Sequence, residues 1–276
     1  MKSSSEVKEV GEFLSLDNEV NLEGIYSRTF TLVLPAYNEK DRIVPVLNDV
    51  CSFISKHNIP WKVIIAIDGN DNTFDIAASF AEKYNFLIID RNPARSGKGG
   101  AIKRILSKIE GEFTILMDAD NSISFNEIIR AVQELEENDV VILSRYNRKN
   151  MIPPMRRFLS RVFNLIVRSL FSLHISDTQS GYKMFKSQFF VNAMRKVTVT
   201  NASYDVALLY HVKNLGAKII EVPASYKHSD NGKLSPFSMA MSFTISLIAI
   251  RIRNSPLYAY VPQFMVHLYR KKFRWI

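Results

Sequence analysis

Apolar and polar positions settle into a regular rhythm at residue 30. From there, short apolar runs rich in β-branched and aromatic residues alternate with longer segments whose apolar residues recur at helical spacing. The runs predict strands at residues 30–34, 63–67, 86–89, 113–117 and 140–143. The intervening segments predict helices at about 40–57, 73–84, 99–109 and 125–136. Such alternation predicts an α/β domain with a parallel sheet covered on both faces, and in such sheets ligands bind at the carboxyl ends of the strands.

The residues at those ends carry chemistry. Pro35-Ala36-Tyr37-Asn38-Glu39 follows the first strand, Asp68-Gly69-Asn70-Asp71 the second, Asp118-Ala119-Asp120 the fourth and Ser144-Arg145 the fifth. Two carboxylates on a strand exit suit a hard divalent cation, Mg²⁺ or Mn²⁺, whose remaining oxygen ligands come from a nucleotide's phosphates. An acidic pair on a turn can equally be solvated or cap the next helix, so the other strand ends decide its meaning. Gly97-Lys98-Gly99-Gly100 is not the phosphate loop of nucleoside triphosphatases. Asn92 stands where that motif has its first glycine, and Gly99 rather than Ser or Thr follows the lysine. A glycine-rich helix start with a lysine still suits an anion through backbone amides and the helix dipole; the alternative is a tight turn with a solvated Lys98.

Composition narrows the partners. The 276 residues suffice for one large domain with a small appendage, and the formal charge of +9 favours anionic partners: nucleic acid, a phosphorylated ligand or an acidic membrane surface. No helix-turn-helix, zinc or ribonucleoprotein pattern accompanies the charge, which speaks against nucleic acid. Cys51 is the only cysteine, so a disulfide framework is excluded and a reducing compartment fits. Residues 1–28 form a polar, charged extension with no continuous apolar stretch of the signal-peptide kind, and no export is expected.

Two later segments look built for a surface. Between residues 151 and 175 an amphipathic helix is predicted, with Arg157, Arg161, Asn164 and Arg168 on one face and aromatic and aliphatic residues over the rest. That combination suits a phosphate headgroup followed by a lipid chain, the alternative being an ordinary solvated basic face. Residues 234–250 contain no charge and place Ser235, Ser238, Ser242 and Ser246 in a polar stripe; at 17 residues the segment predicts a helix lying in a membrane interface rather than spanning it. Arg251, Arg253 and the basic-aromatic tail 269–275 fit an anionic headgroup layer. The resulting organisation is an extension (1–28), an α/β domain (29–230, including the amphipathic helix at 154–174) and a membrane-associated segment (231–276).

With these motifs in order, the chain resembles the family 2 glycosyltransferases of GT-A fold, and within them the polyprenyl-phosphate (dolichyl-phosphate) glucosyl- and mannosyltransferases. The resemblance spans about residues 31–256. It rests on Leu34-Pro35-Ala36-Tyr37-Asn38-Glu39, Ile67-Asp68-Gly69, Gly97-Lys98-Gly99-Gly100-Ala101, Asp118-Ala119-Asp120, Ser144-Arg145, Asp177-Thr178-Gln179-Ser180-Gly181-Tyr182 and Tyr204-Asp205-Val206. The lysine-glycine segment and the Asp-Thr-Gln-x-Gly-Tyr run look closer to the glucosyl enzymes. Ile67 replaces the first of two acids usual before Gly69, the loop 68–73 is one residue short, and Ser122 stands where mannosyl enzymes carry a metal-assisting Gln.

The resemblance implies a mostly parallel GT-A sheet flanked by helices, and an inverting transfer of a hexose from a nucleotide sugar, UDP-glucose favoured over GDP-mannose, to polyprenyl phosphate at the cytoplasmic face of a membrane. Pro35, Ala36, Tyr37, Glu39, Asp68, Lys98, Asp118, Ala119 and Asp120 would hold the nucleotide sugar. In that set Pro35 ends the first strand, Tyr37 stacks on the base or ribose, Glu39 accepts from ribose hydroxyls and Asp68 reads the base edge. Asp118 and Asp120 would hold the metal, with Asp120, Arg145 and Arg161 as catalytic residues. Arg145, Arg157, Arg161 and Lys233 would clamp the acceptor phosphate, and Asp177, Gln179, Ser180 and Asp205 would position the rest. Two other readings keep the same residues: a transferase acting on a sugar hydroxyl, and a non-enzymatic adaptor on a membrane surface.

Overall fold

The computed structural model describes residues 25, 27–146, 154–201, 203–227 and 236–267. It contains one seven-stranded sheet ordered β3-β2-β1-β4-β6-β5-β7. The strands are β1 (Phe30–Tyr37), β2 (Lys62–Asp68), β3 (Leu87–Asn92), β4 (Phe113–Leu116), β5 (Val140–Ser144), β6 (Lys183–Lys186) and β7 (Ile219–Pro223). β1 to β4 pair in parallel, and β5 pairs in parallel with β7. Between the two groups β6 runs antiparallel to both β4 and β5, inserted where a purely parallel reading places β5.

Helices α1 (Ile43–His57), α2 (Thr73–Ala81), α3 (Lys98–Arg104) and α4 (Phe125–Ala131) follow the first four strands. The last two are shorter than the periodicity predicts, because 3₁₀ turns at Leu106–Lys108 and Val132–Leu135 replace their final turns. α5 (Pro154–Phe171) follows β5, then come α6 (Ser187–Lys196), α7 (Tyr204–Asn214) and α8 (Pro236–Arg253). The period-2 alternation of β1 sends Leu32 and Leu34 into a core shared with α1 and α4. Val33 enters a second core on the other face, formed with α3, α6 and α7.

Pro35 does not end β1, which continues to Tyr37 with Pro35 opposite Ala66. Met117 N–H donates to Val33 O, so the backbone N–H and C=O of residue 33 face β4, and the backbone N and C=O of residue 35 face the same way. β4 ends at Leu116, and the missing N–H of the proline faces a side where no ladder bond is due. The strand therefore carries Tyr37 two residues further out, to the sheet's carboxyl edge.

α5 buries Val167 and Phe171 against the second core, and Phe163 meets Phe243 of α8 with ring centroids 5.8 Å apart. Ser246 is buried and accepts from Asn201 Nδ2 at 3.2 Å, so this member of the predicted polar stripe faces the protein. Among the described residues no helix is long and apolar enough to cross a membrane. The extension 1–24, the tail 268–276, Lys233 and Ser235 lie outside the described residues, as do the side chains of Arg157, Ser238 and Ser242.

Candidate active site

The carboxyl ends of β1, β2 and β4 open into a cavity of ≈ 270 Å³ lined by Pro35, Ala36, Tyr37, Glu39, Asp68, Lys98, Asp118, Ala119 and Asp120. All nine residues assigned to the nucleotide sugar from the sequence thus meet in one place. The cavity also takes in Arg42 and Arg95, which sequence reasoning left out.

The loop after β1 turns before α1, with Glu39 O accepting from the amides of Arg42 and Ile43. Glu39 itself precedes the helix, so its side chain is available to the cavity. Burial pushes its carboxyl up; Arg42 opposes this, and the Asp120 and Asp118 charges add to it. Arg42 Nη2 lies 2.7 Å from Glu39 Oε2 in an ion pair. Tyr37, 43% exposed, presents a ring face covered by the Arg95 guanidinium at 4.4 Å.

Asp68 sits on the floor, 2% exposed, and is more heavily engaged than a free base-reading carboxylate. It accepts from Ser96 N–H at 2.6 Å, from Ser96 Oγ at 2.8 Å and from Arg104 Nη1 at 2.8 Å. Arg104 also donates to Asp90 at 2.9 Å, which Lys108 reaches at 3.0 Å. Asp68 thereby ties the end of β2 to the loop carrying Arg95 and Lys98. Gly97 makes that loop possible: at φ +78° it lies against Thr200 O, where a Cβ would fall 2.5 Å away.

Lys98 is ion-paired rather than simply solvated. It forms an ion pair with Asp118 Oδ1, the two side chains being 26% and 32% exposed. Burial would raise the Asp118 carboxyl, but the Lys98 charge and hydrogen bond outweigh it, helped by Lys183 and Arg145, and hold it below the usual range. The other Asp118 oxygen presses on Gly181, where a Cβ would lie 1.7 Å from Oδ2. Asp120 has neutral neighbours: its Oδ1 accepts from Ser122 N–H and from Tyr182 Oη, both at 3.0 Å. Gly181 and Tyr182, adjacent on the segment leading into β6, thus fix the two carboxylates separately.

Whether this set fits a divalent cation follows from its donors. Among the described residues no cluster of three or more His, Cys, Asp or Glu side chains is formed. Two carboxylates are what a cation completed by diphosphate oxygens needs, and Asp118 and Asp120 fit that role.

Beyond β5, Arg145 pairs with Asp177 in a fork, Nε to Oδ2 at 2.9 Å and Nη2 to Oδ1 at 2.7 Å, while its backbone N–H donates to the same carboxylate at 2.9 Å. Burial opposes the charge on Arg145, and Asp177 more than restores it, raising the pKa. Glu221 of β7, absent from the sequence reading, holds this carboxylate's backbone by accepting from Ser176 N–H at 2.7 Å and Asp177 N–H at 2.8 Å. Asn164 of α5 donates to Ser176 O at 2.5 Å, which brings the predicted basic face beside Asp177. On that face Arg161 and Arg168 are exposed.

Asp205 is buried against Lys183, 2.5 Å from its Nζ, and Lys183 also donates to Ser180 O. Burial pulls the Lys183 pKa down despite this pairing. Ser180 Oγ donates to Leu143 O at 2.6 Å, a structural bond that fixes the segment against β5. Gln179 is half-buried. Lys183 escaped the sequence reading because β6, Lys-Met-Phe-Lys, has charged ends and too few apolar residues to read as a strand.

The family model for glycosyl transferase family 2 matches residues 31–192, more than half of the chain. A dolichyl-phosphate beta-glucosyltransferase of Dictyostelium discoideum is 28% identical over 263 residues, covering 88% of this chain and 79% of its own. Its counterpart of the same name in Drosophila melanogaster is 27% identical over 263 residues, covering 87% and 78%. Among solved structures, glucosyl-3-phosphoglycerate synthase from Mycobacterium tuberculosis in complex with Mn²⁺, UDP-glucose and glycerol 3-phosphate shares the fold, with a TM-score of 0.59, 17% identity and coverage of 84% and 82%. On the family match, with the strand-end residues converging as they do, this chain belongs to glycosyltransferase family 2.

Proposed function

We propose that the protein transfers glucose from UDP-glucose to a polyprenyl (dolichyl) phosphate at the cytoplasmic face of a membrane, with Mg²⁺ or Mn²⁺. The observation that carries this reading is the convergence of Asp118 and Asp120 with Lys98, Glu39 and Tyr37 in one cavity at the strand ends. The names of the two relatives support the acceptor and the sugar, and the Mn²⁺ and UDP-glucose bound by the structural neighbour support the donor.

In this reading the exposed face of Tyr37 and the Arg95 guanidinium take the base. Glu39, which lines the cavity, accepts a ribose hydroxyl, and Lys98 lies against the diphosphate. Asp68 acts through the loop it pins as well as toward the base. A divalent cation held by Asp118 and Asp120 supplies Lewis-acid stabilisation of the departing nucleoside diphosphate. Arg145, oriented by Asp177, presents its guanidinium to the acceptor phosphate, and the exposed Arg161 adds positive charge. The acceptor phosphate oxygen attacks the anomeric carbon as the bond to the diphosphate breaks on the opposite side, inverting the centre.

A phosphate monoester carries about 1.5 to 2 negative charges at neutral pH, so it needs no base to deprotonate it. A hydroxyl acceptor needs one. Asp177 and Asp205 are both buried in ion pairs with Arg145 and Lys183, which favours the phosphate acceptor.

The test is transfer of labelled sugar into the lipid phase, with polyprenyl phosphate and either UDP-glucose or GDP-mannose. Transfer from UDP-glucose, lost in Asp120→Ala by about 10³-fold or more as expected for a metal-linked carboxylate, is the expected result. Transfer from GDP-mannose alone would overturn the sugar assignment. Donor turnover without lipid labelling would overturn the acceptor assignment.

A further inference from the structure

Asp118 already has a charged partner in this structure. One of its oxygens presses on the Gly181 backbone, closely enough that a Cβ there would fall 1.7 Å from it. The other accepts from Lys98. A divalent cation on this carboxylate would lie against the Lys98 ammonium, with Lys183 and Arg145 adding positive charge nearby. Like charges at contact distance repel strongly in a half-buried site. Asp120, held by the neutral donors Ser122 and Tyr182, offers no comparable obstacle.

Lys98 is also able to leave. Its side chain is 26% exposed and its stem flexible, while its backbone is fixed because Gly97 is seated on Thr200 O. The same cavity holds Arg42 and Arg95, so a diphosphate entering it meets a cluster of cations that includes Lys98.

We infer that Lys98 is an exchangeable counter-charge on Asp118: it competes with the divalent cation for that carboxylate, and the diphosphate relieves the competition by taking the lysine. Metal and nucleoside diphosphate therefore bind as a coupled pair, and the protein without nucleotide holds the metal weakly. This inference rests on the nucleotide-sugar reading of the cavity and adds to it the residue that sets the order of loading.

The experiment titrates Mn²⁺ into the full-length protein and follows the free ion by electron paramagnetic resonance, alone, with UDP and with uridine. For the wild type, UDP should tighten Mn²⁺ binding about tenfold or more, in the range of site-to-site couplings, and uridine should leave it unchanged. In Lys98→Met, Mn²⁺ should bind about tenfold more tightly without nucleotide, and the gain from UDP should shrink. Lys98→Arg keeps the charge and should stay weak. Thermal melting of each variant by circular dichroism checks folding, and the UDP-against-uridine contrast needs no variant. If Lys98→Met binds Mn²⁺ no better than the wild type without nucleotide, while UDP still tightens both, the competition is overturned and the donor reading stands. If UDP fails to tighten Mn²⁺ binding in the wild type, the donor reading fails and the competition with it.

Discussion

The cavity at the ends of β1, β2 and β4 and the platform around Arg145 at the end of β5 solve opposite problems with the same residue types. In the cavity the negative charges belong to the site and the cations are their counter-charges; Lys98 and Asp118 are each a quarter to a third exposed. On the platform the cation is the more exposed partner and the acid the buried one. Asp177, 2% exposed, is the buried anchor, gripped by the Arg145 fork and backbone amide while Glu221 holds its own N–H. A partly exposed lysine pair can exchange partners at modest cost, whereas a forked arginine on a buried aspartate loses several charge-assisted bonds if it moves. The cavity is built to trade partners and the platform to hold one group still.

The contrast can be broken from beneath. Lys183 and Asp205 lie fully buried behind both regions, and Lys183→Ala leaves an uncompensated carboxylate. A loss of about 3 to 5 kcal/mol in chemical denaturation is expected, the largest effect of this set, with Asp205→Asn and the double variant Lys183→Met/Asp205→Leu losing less. In Gly181→Ala the new methyl collides with Asp118, so the two carboxylates lose their mutual placement. Transfer rate should fall about 100-fold, as displacements near 1 Å at reacting centres do, with melting temperature shifted far less.

The platform is sharpened by Asp177→Asn, which keeps the shape and removes the charge. Loss of the ionic fork should cost about 2 kcal/mol of stability and raise the KM for lipid phosphate while leaving UDP affinity unchanged. An equal loss of UDP affinity would show that the two regions are not separable. The smallest effect expected is at Asp90, on the outer side of the cavity. Burial alone would raise its carboxyl; hydrogen bonds from Lys108 and Arg104 outweigh burial and hold it below its ordinary 3.8. A depressed carboxylate contributes stability that is present above 3.8 and lost as pH falls through its folded-state value. Acid unfolding of Asp90→Asn should therefore show a shallower stability loss below that pH than the wild type, with the curves converging at the acid end.

How much of this was legible beforehand differs between the same two regions. The cavity residues occur in short motifs at strand ends, and five of the seven strands have enough apolar residues to be read from pattern, so β1, β2 and β4 deliver their carboxyl ends predictably. The platform depends on β6 and β7. Lys-Met-Phe-Lys and Ile-Ile-Glu-Val-Pro are short and carry charges whose burial makes sense only opposite Asp205 and the amides of Ser176 and Asp177. Arg104 shows the same limit: a lysine- and arginine-containing helix end reads as solvated until Asp68 and Asp90 are brought beside it.

Local pattern alone sets the alternating α/β architecture, the ring of chemistry-bearing residues at the strand ends and the basic-apolar helix, because each is written in local period or in a contiguous motif. Tertiary structure alone decided which charges are paired. Lys98 with Asp118, Arg104 with Asp68, Arg145 with Asp177 and Lys183 with Asp205 join residues 20 to 36 positions apart. A charged side chain carries no mark of its partner, and the pairing follows from which strand ends the sheet order places side by side.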